Sequence, residues 1–332
     1  MLVKQRNIVN VRIVALIGLI VAAIVTSLVL HSSAQAAENP ANVLKVMPVR
    51  SDVSINPGET KTVKTTVTNL TSAPLSIHPV TNDFIAGDER GTPALILDDN
   101  KYAPTHSLKR FMQPLADVTI PAKESKVIEV TISVPKDAQA GGYFGAVRFV
   151  PSSPEGGQVN LNASVASIML LTVPGDMVEQ LRLTEFNVQQ NGQSNGYFRT
   201  PDNIQVTFRL ENKGNAQSGP FGKISLQKGK DLVYETDFNN NDPRDMVLPD
   251  SARRWDVPLK NIEAFGHYTV TATFTYGQKN QTIEVTKSFW VIPLPVLIGA
   301  IAGAVILLLV IAFVIWKIVT RGRRGNSMRL GR

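Results

Sequence analysis

Long stretches of the chain alternate between apolar and polar residues with a period of two. Ile204, Val206, Phe208 and Leu210 fall on one side, and Gln205, Thr207 and Arg209 on the other. Tyr268, Val270, Ala272, Phe274 and Tyr276 alternate with four threonines, and Ile128, Val130, Ile132 and Val134 alternate with Glu129, Thr131 and Ser133. Such runs predict strands with one buried and one wet face, as in antiparallel sheets. Threonine on the wet face suits an extended backbone. Turn signals separate the runs: Asn56-Pro57-Gly58, Ser72-Ala73-Pro74, Gly141-Gly142, Pro154-Glu155-Gly156-Gly157 and Asn191-Gly192. Many short strands with this punctuation predict a sandwich or barrel.

The fold class expected is all-β, with two tandem immunoglobulin-like sandwiches and a C-terminal transmembrane helix. The first sandwich spans 37–176, with strands at Val43–Arg50, Thr60–Asn69, Leu75–Phe84, Lys126–Val134, Tyr143–Val150 and Val165–Val173. The second spans 177–290, with strands at Leu181–Val188, Ile204–Asn212, Gly222–Gln227, Leu232–Asp237, Arg253–Pro258, Gly266–Tyr276 and Gln281–Phe289. Seven strands over that length fit an immunoglobulin-like sandwich. Between Ile85 and Val118 the first sandwich carries a long irregular insertion. Loops of this kind on a sandwich often bind ligands. Asp98, Asp99, Tyr102 and Phe111 are the candidate ligand contacts: two acceptors and two stacking surfaces. The competing expectation is that the insertion merely covers the core.

The two ends change the picture. Lys4, Arg6 and Arg12 precede an apolar run, Ile13 to Leu30, that closes on Ala34-Gln35-Ala36. This is the form of a signal peptide, 1–36, cleaved between Ala36 and Ala37. Retention as a signal anchor is the other reading, and both put the following residues outside the cell. The run 291–316 has no charge and is long enough to cross a bilayer. Trp290 and Trp316 flank it, and Lys317, Arg321, Arg323 and Arg324 open a basic tail, 317–332, expected to stay cytoplasmic. No Leu-Pro-x-Thr-Gly sorting motif precedes this run. A single-pass plasma-membrane protein with an extracellular body is expected.

Charge then loses its apparent meaning. The chain has 34 Lys and Arg against 27 Asp and Glu, a formal net charge of +7. Nine of those cations lie in the two terminal segments, leaving 25 against 27 between them, a net of −2. The basic balance reports topology and gives no footing for nucleic-acid binding. There is no cysteine, so burial alone must stabilise both sandwiches. An exported, cysteine-free chain points to a bacterium.

Several first-half motifs carry a resemblance. Asn56-Pro57-Gly58-Glu59-Thr60 leads into Val63-Lys64-Thr65-Thr66-Val67-Thr68-Asn69. Val118-Thr119-Ile120-Pro121-Ala122-Lys123-Glu124-Ser125 follows, then Val134-Pro135-Lys136-Asp137-Ala138 and Gly141-Gly142-Tyr143-Phe144-Gly145. This order resembles the peptidoglycan-binding-like domain of bacterial WxL-interacting proteins. The plan of signal peptide, two sandwiches, membrane helix and basic tail is similar too. The resemblance implies binding to cell-wall glycan or to a surface protein. The turn Asn212-Lys213-Gly214-Asn215 with Pro220-Phe221-Gly222 resembles one common in other bacterial surface sandwiches.

Catalytic signatures do not assemble. Gly192-Gln193-Ser194-Asn195-Gly196 has the spacing of a nucleophile elbow, but a hairpin tip suits its polar flanks better. His78, His106 and His267 lack metal spacing. Asp237, Asn239, Asn241 and Asp242 begin like a calcium loop, but Asp242 and Leu248 stand where glycine and glutamate are needed. A non-enzymatic binding protein without cofactor or metal is expected. The alternative is an extracytoplasmic chaperone or assembly factor that uses an exposed sheet edge.

Overall fold

The computed structural model describes residues 43–151 and 164–326. The expected cleavage site at Ala36 and Ala37 lies outside the described residues. The first half has nine strands: β1 (Leu44–Met47), β2 (Arg50–Ser54), β3 (Thr60–Asn69), β4 (Leu75–Ala86), β5 (Pro93–Leu95), β6 (Val118–Ile120), β7 (Ser125–Ser133), β8 (Gly141–Pro151) and β9 (Val165–Val173). One sheet has the order β1-β3-β7, and the other the order β2-β9-β8-β4-β5, with β6 also on β4. Val67, Val130 and Ile132 from the first sheet meet Ile77, Phe149 and Leu171 from the second in one core. The expected strand Val43–Arg50 is two strands in two sheets. Pro48 has no amide N–H to continue the ladder. The chain therefore turns there, β1 staying against β3 and β2 running parallel to β9.

The second half follows with β10 (Leu181–Gln190), β11 (Gln193–Ser194), β12 (Tyr197–Phe198), β13 (Ile204–Asn212), β14 (Phe221–Lys228), β15 (Asp231–Phe238), β16 (Ser251–Pro258), β17 (Gly266–Tyr276) and β18 (Gln281–Val291). Its sheets are β11-β10-β13-β16 and β12-β18-β17-β14-β15. Between them Phe208 lies 4.6 Å from Phe274 and 5.0 Å from Phe238, ring centre to ring centre. The molecule is an all-β, immunoglobulin-like double sandwich with one C-terminal helix. Asn191 and Gly192, both at positive φ, form the tip between β10 and β11, so Gln193 and Ser194 of the elbow-like run lie on the returning strand.

The halves share a device that no local repeat in sequence announces. Asn69 ends β3 fully buried; its Oδ1 accepts from Thr71 N and its Nδ2 donates to the carbonyls of Ala73 and Ile120. Asn212 ends β13 equally buried; its Oδ1 accepts from Gly214 N and its Nδ2 donates to those of Ala216 and Val247. In both, one amide satisfies a tight turn and ties it to a distant segment, as buried backbone groups require.

No sheet mixes strands from the two halves among the described residues. They meet instead at a seam. Gly142 N donates to Asn215 O at 2.8 Å, and Asn215 Nδ2 donates to Ala140 O at 2.9 Å. A Cβ on Gly141, at φ +146°, would stand 2.6 Å from Asn215 O, and one on Gly142 would stand 2.3 Å from Gln217 Oε1. Glycine is required because two backbones touch here. Beside the contact, Phe84, Phe144 and Leu170 of the first half pack with Met246 and Leu248 of the second. At the edge, Arg90 bridges to Asp256 at 2.6 Å, and Glu89 bridges to Arg209 at 2.8 Å.

Helix α1 (Leu294–Asn326) follows β18. Its apolar stretch, Leu294–Ile318, is long enough to cross a membrane, and the most apolar part of that stretch has no buried residue. The expected start at residue 291 shifts. Val291 is a buried strand residue opposite Gly266, and the switch to helix falls between Pro293 and Pro295, where missing amide donors cost a strand but not a first helical turn.

Two outcomes follow from the seam. Gly141→Ala should destabilise the protein by about 1–3 kcal/mol and expose the junction 174–180 to protease, read by thermal melting and limited digestion. An unchanged melting point would contradict the close contact. Acid should loosen the same seam. Burial pushes the Asp256 carboxyl up, but hydrogen bonds from Thr207 and Arg90 outweigh it and hold the carboxyl below its ordinary range. Within the second half, behind the seam, an Arg254 hydrogen bond outweighs burial and holds Glu185 low. Depressed carboxylates stabilise fully above their unfolded pKa, about 4, and lose that contribution as pH falls through the folded value. Arg90→Ala should flatten this acid dependence in pH-stepped denaturation.

Candidate functional site

The insertion after β4 is organised by one carboxylate. Asp83 is fully buried near the end of β4. Its Oδ2 accepts from Ala103 N at 2.8 Å and Ser107 Oγ at 2.6 Å, and its Oδ1 accepts from Lys109 N at 2.8 Å. Next to it, Asn82 Nδ2 donates to Ile96 O at 2.9 Å, and Ile96 N donates to Asp83 O at 2.8 Å. Four points along the insertion are therefore fixed from two adjacent residues of one strand. The 3-10 turn Lys109–Phe111 and a backbone bridge from Met112 to Ile132 complete its path.

The insertion has two jobs. Its first turn, near Gly87 to Thr92, reaches the second half: Glu89 O accepts from Arg254 N at 2.6 Å, and Gly91, at φ +90°, leaves room for the Arg253 guanidinium. Its later part builds one wall of an open groove of about 470 Å³. Pro104, His106, Arg110 and Phe111 line that wall, and Gly141, Tyr143 and Asn215 line the other side. Phe111 and Tyr143 rings stand 4.8 Å apart, and His106 is 6.3 Å from Tyr143. His106, at φ 58°, is clamped through its carbonyl by Phe144 N and through Nδ1 by Gly142 O. Burial pushes the Tyr143 phenol above its ordinary value, and its O–H donates to the Gln139 carbonyl at 2.8 Å. Groove chemistry is aromatic and hydrogen-bonding with one cation, Arg110. It offers stacking and polar contact.

The candidate residues separate. Phe111 is half-buried, packs on the first-half core and lines the groove. Tyr102 is 47% exposed and lies outside the groove lining, with the Arg110 guanidinium 4.8 Å and Lys109 Nζ 5.3 Å from its ring. Asp98 accepts from Asn100 N and pairs with Lys101; these contacts hold its carboxyl below the ordinary range. The Asp99 side chain is exposed, and its carbonyl receives Lys109 Nζ at 2.7 Å. Both acids thus belong to the turn leading to Tyr102. Sequence reasoning missed Asp83 and Arg110; it placed His106 in the insertion and Tyr143 in a motif without giving either a part in the site. A lone Asp inside a strand before a long insertion was the available signal for Asp83. Of the membrane flanks, Trp290 ends β18 half exposed, Trp316 lies exposed on α1, and the backbone of Lys317, Arg321, Arg323 and Arg324 continues the helix. Asn239, from the calcium-like run, spends its amide on Pro220 O and on both backbone groups of Asp245. No group of three His, Cys, Asp or Glu fit to hold a metal occurs among the described residues.

Residues 51–150 match the peptidoglycan binding domain of the WxL Interacting Protein family, the family that the first-half motifs resemble. The matched segment holds Asp83, the whole insertion and Tyr143. No curated protein matches the chain. Among solved structures, the class 5 fimbriae chaperone CfaA is similar at 14% identity and a TM-score of 0.37, covering 74% of this chain and 98% of that one. The E. coli chaperone DraB is similar at 15% identity and 0.31, covering 74% and 96%. The Pseudomonas aeruginosa CupB2 chaperone is similar at 10% identity and 0.32, covering 73% and 99%.

Asp83→Ala leaves two buried donors and one half-buried donor without their acceptor, and one such buried loss costs about 1–3 kcal/mol. Digestion should move to 98–111 and the melting point should fall, with Asp83→Asn recovering part of both. Resistance of the insertion in Asp83→Ala would refute the organising role.

Proposed function

We propose that this chain is a bacterial cell-surface binding protein, tethered to the plasma membrane by α1, whose first half attaches to peptidoglycan or to a wall-associated protein. The match of residues 51–150 to a peptidoglycan binding domain carries this reading. The fixed insertion supports it, because a platform ordered before binding loses less entropy on contact. The apolar helix followed by basic residues supports a cytoplasmic tail and an extracellular body. Recognition uses the Arg110–Tyr102 stack and the aromatic groove beside it, without a catalytic step or cofactor. With the body between the terminal segments at −2, long-range attraction adds little and binding persists in salt.

One observation favours the second reading, an assembly factor. β7 is an edge strand, and the described contacts cover only its end, through Met112 and Gln113 on Thr131 and Ile132. Val127 on the open part is exposed, so an extended partner segment has backbone groups to pair with. A stoichiometric complex with one secreted protein, lost on proline substitution at Val127, would select this reading.

Full-length protein in detergent micelles should co-sediment with purified wall in low and high salt. Tyr102→Ala with Arg110→Ala should weaken this about tenfold, equivalent to about 1.4 kcal/mol, without changing the melting point. Phe111→Ala should instead lower stability, by up to about 3 kcal/mol. Absence of co-sedimentation at either salt, with wall proteins retained, would sink the wall-binding function.

A further inference from the structure

We infer that the base of the second half is a lipid-contact surface, with Tyr197, Phe265 and Trp290 seated in the headgroup layer of the bilayer that α1 crosses. The inference rests on the membrane-tethered reading and adds to it a place for the folded body.

Strand alternation creates the surface. Tyr197 pairs with Trp290 across β12 and β18, and His267 pairs with Trp290 across β17 and β18. Their neighbours Phe198 and Val291 turn into the core, so Tyr197 and Trp290 turn out, 46% and 44% exposed. The Trp290 and His267 rings stand 4.7 Å apart. Phe265, 50% exposed, immediately precedes Gly266, which pairs with Val291 at the same end. Three large aromatics thus crowd the end from which the helix leaves.

The connection leaves no slack. Trp290 N donates to Gly196 O at 2.9 Å, and Ile292 N donates to Phe198 O at 2.8 Å, so the chain is zipped to the sheet until one residue before Leu297 N begins helical bonding to Pro293 O. Three peptide steps separate Val291 from Leu294, at most about 11 Å. The apolar stretch Leu294–Ile318 has 25 residues, about 37 Å of helix, somewhat more than a hydrocarbon core of about 30 Å. Seating that stretch in the core puts Trp290 at headgroup depth, and Tyr197 and Phe265 with it. Tyrosine and tryptophan favour this layer because one end is apolar and the other bonds to water. Charge contributes little: Arg199 stacks on the Tyr197 ring, Lys228 is paired with Glu263, Lys230 is followed directly by Asp231, and the Lys260 of one connection is offset by the Asp202 of another. Apolar burial, and not anionic lipid, sets the contact.

The absence of cysteine makes a depth measurement clean. Single substitutions Asn195→Cys and Ala264→Cys, both at exposed neighbours of the collar, carry an environment-sensitive fluorophore on the full-length chain. Lys64→Cys on β3 serves as the remote control, and Leu308→Cys in the middle of α1 reports the span. The proteins are reconstituted in phosphatidylcholine vesicles with and without phosphatidylglycerol, and quenched by lipids bearing a nitroxide at the headgroup or deep in the chain. The expected result is headgroup quenching at 195 and 264 several-fold above that at 64, equal in both vesicles, with deep quenching at 308. Quenching at 308 with 195 and 264 no greater than 64 overturns the inference and leaves the membrane span standing. Quenching at the base only with phosphatidylglycerol overturns the apolar basis. Absence of deep quenching at 308 overturns the tether and the inference together.

Discussion

The seam between the halves, and the groove wall beside it, depend on the close approach of two backbones at Gly141 and Asn215. The hydrogen bonds from Gly142 N to Asn215 O and from Asn215 Nδ2 to Ala140 O need peptide planes nearer than any side chain allows. That approach brings Phe84, Phe144 and Leu170 against Met246 and Leu248, and burial of this cluster gives the seam its apolar free energy. It also sets Asn215 into the groove wall beside Gly141 and Tyr143. The groove is thus a product of both halves, although most of its residues come from one. Asn215 completes the arrangement by bonding Val178 of the junction through its amide N–H and its Oδ1.

Much of the strand framework was legible because period-two burial is local. Thr60–Asn69, Val165–Val173, Ile204–Asn212 and Gly266–Tyr276 run between the residues expected. What was not legible involves residues far apart in the chain. Gly141-Gly142 reads in sequence as a permitted bend, and its partner Asn215 as part of a separate turn. Nothing local distinguishes a glycine that bends from one that yields space. The same holds for Arg90 with Asp256, and for Asp83 with the backbone of 103–109. The Val43–Arg50 segment shows the converse. Its Pro48 was visible, but whether the strand stops or changes sheets depends on β9, more than a hundred residues later. Of the candidate ligand contacts, Tyr102 and Phe111 looked equivalent in sequence. Burial separates them, one on the surface under Arg110 and one against the core.

A chain without disulfides still needs cross-links between distant turns, and buried amides provide them here. Asn69 and Asn212 each tie a turn to a segment 35 or more residues away in sequence. Asp83 does the same for a longer loop with a carboxylate. Such groups are stable only when fully satisfied, since a buried polar atom without a partner costs more than a made bond contributes. That asymmetry makes each of them a strict constraint on local geometry.

The second half has a further consequence in the way its strands are directed. The chain enters at Leu181, beside the first half, and leaves at Val291, at the opposite end where α1 begins. Under the attachments proposed above, to a wall at one end and a membrane at the other, this half is under tension whenever the two separate. Tension between those points acts along the strands. Hydrogen bonds in a ladder lie across the strand direction, so the eleven registered pairs of β17 and β18, from Gly266–Val291 to Tyr276–Gln281, are loaded in shear and must fail together. Pulling the same strands apart from one end would break them singly. On that reading the second half is oriented as a mechanical link, strongest along the axis that joins its entry at Leu181 to its exit at Val291.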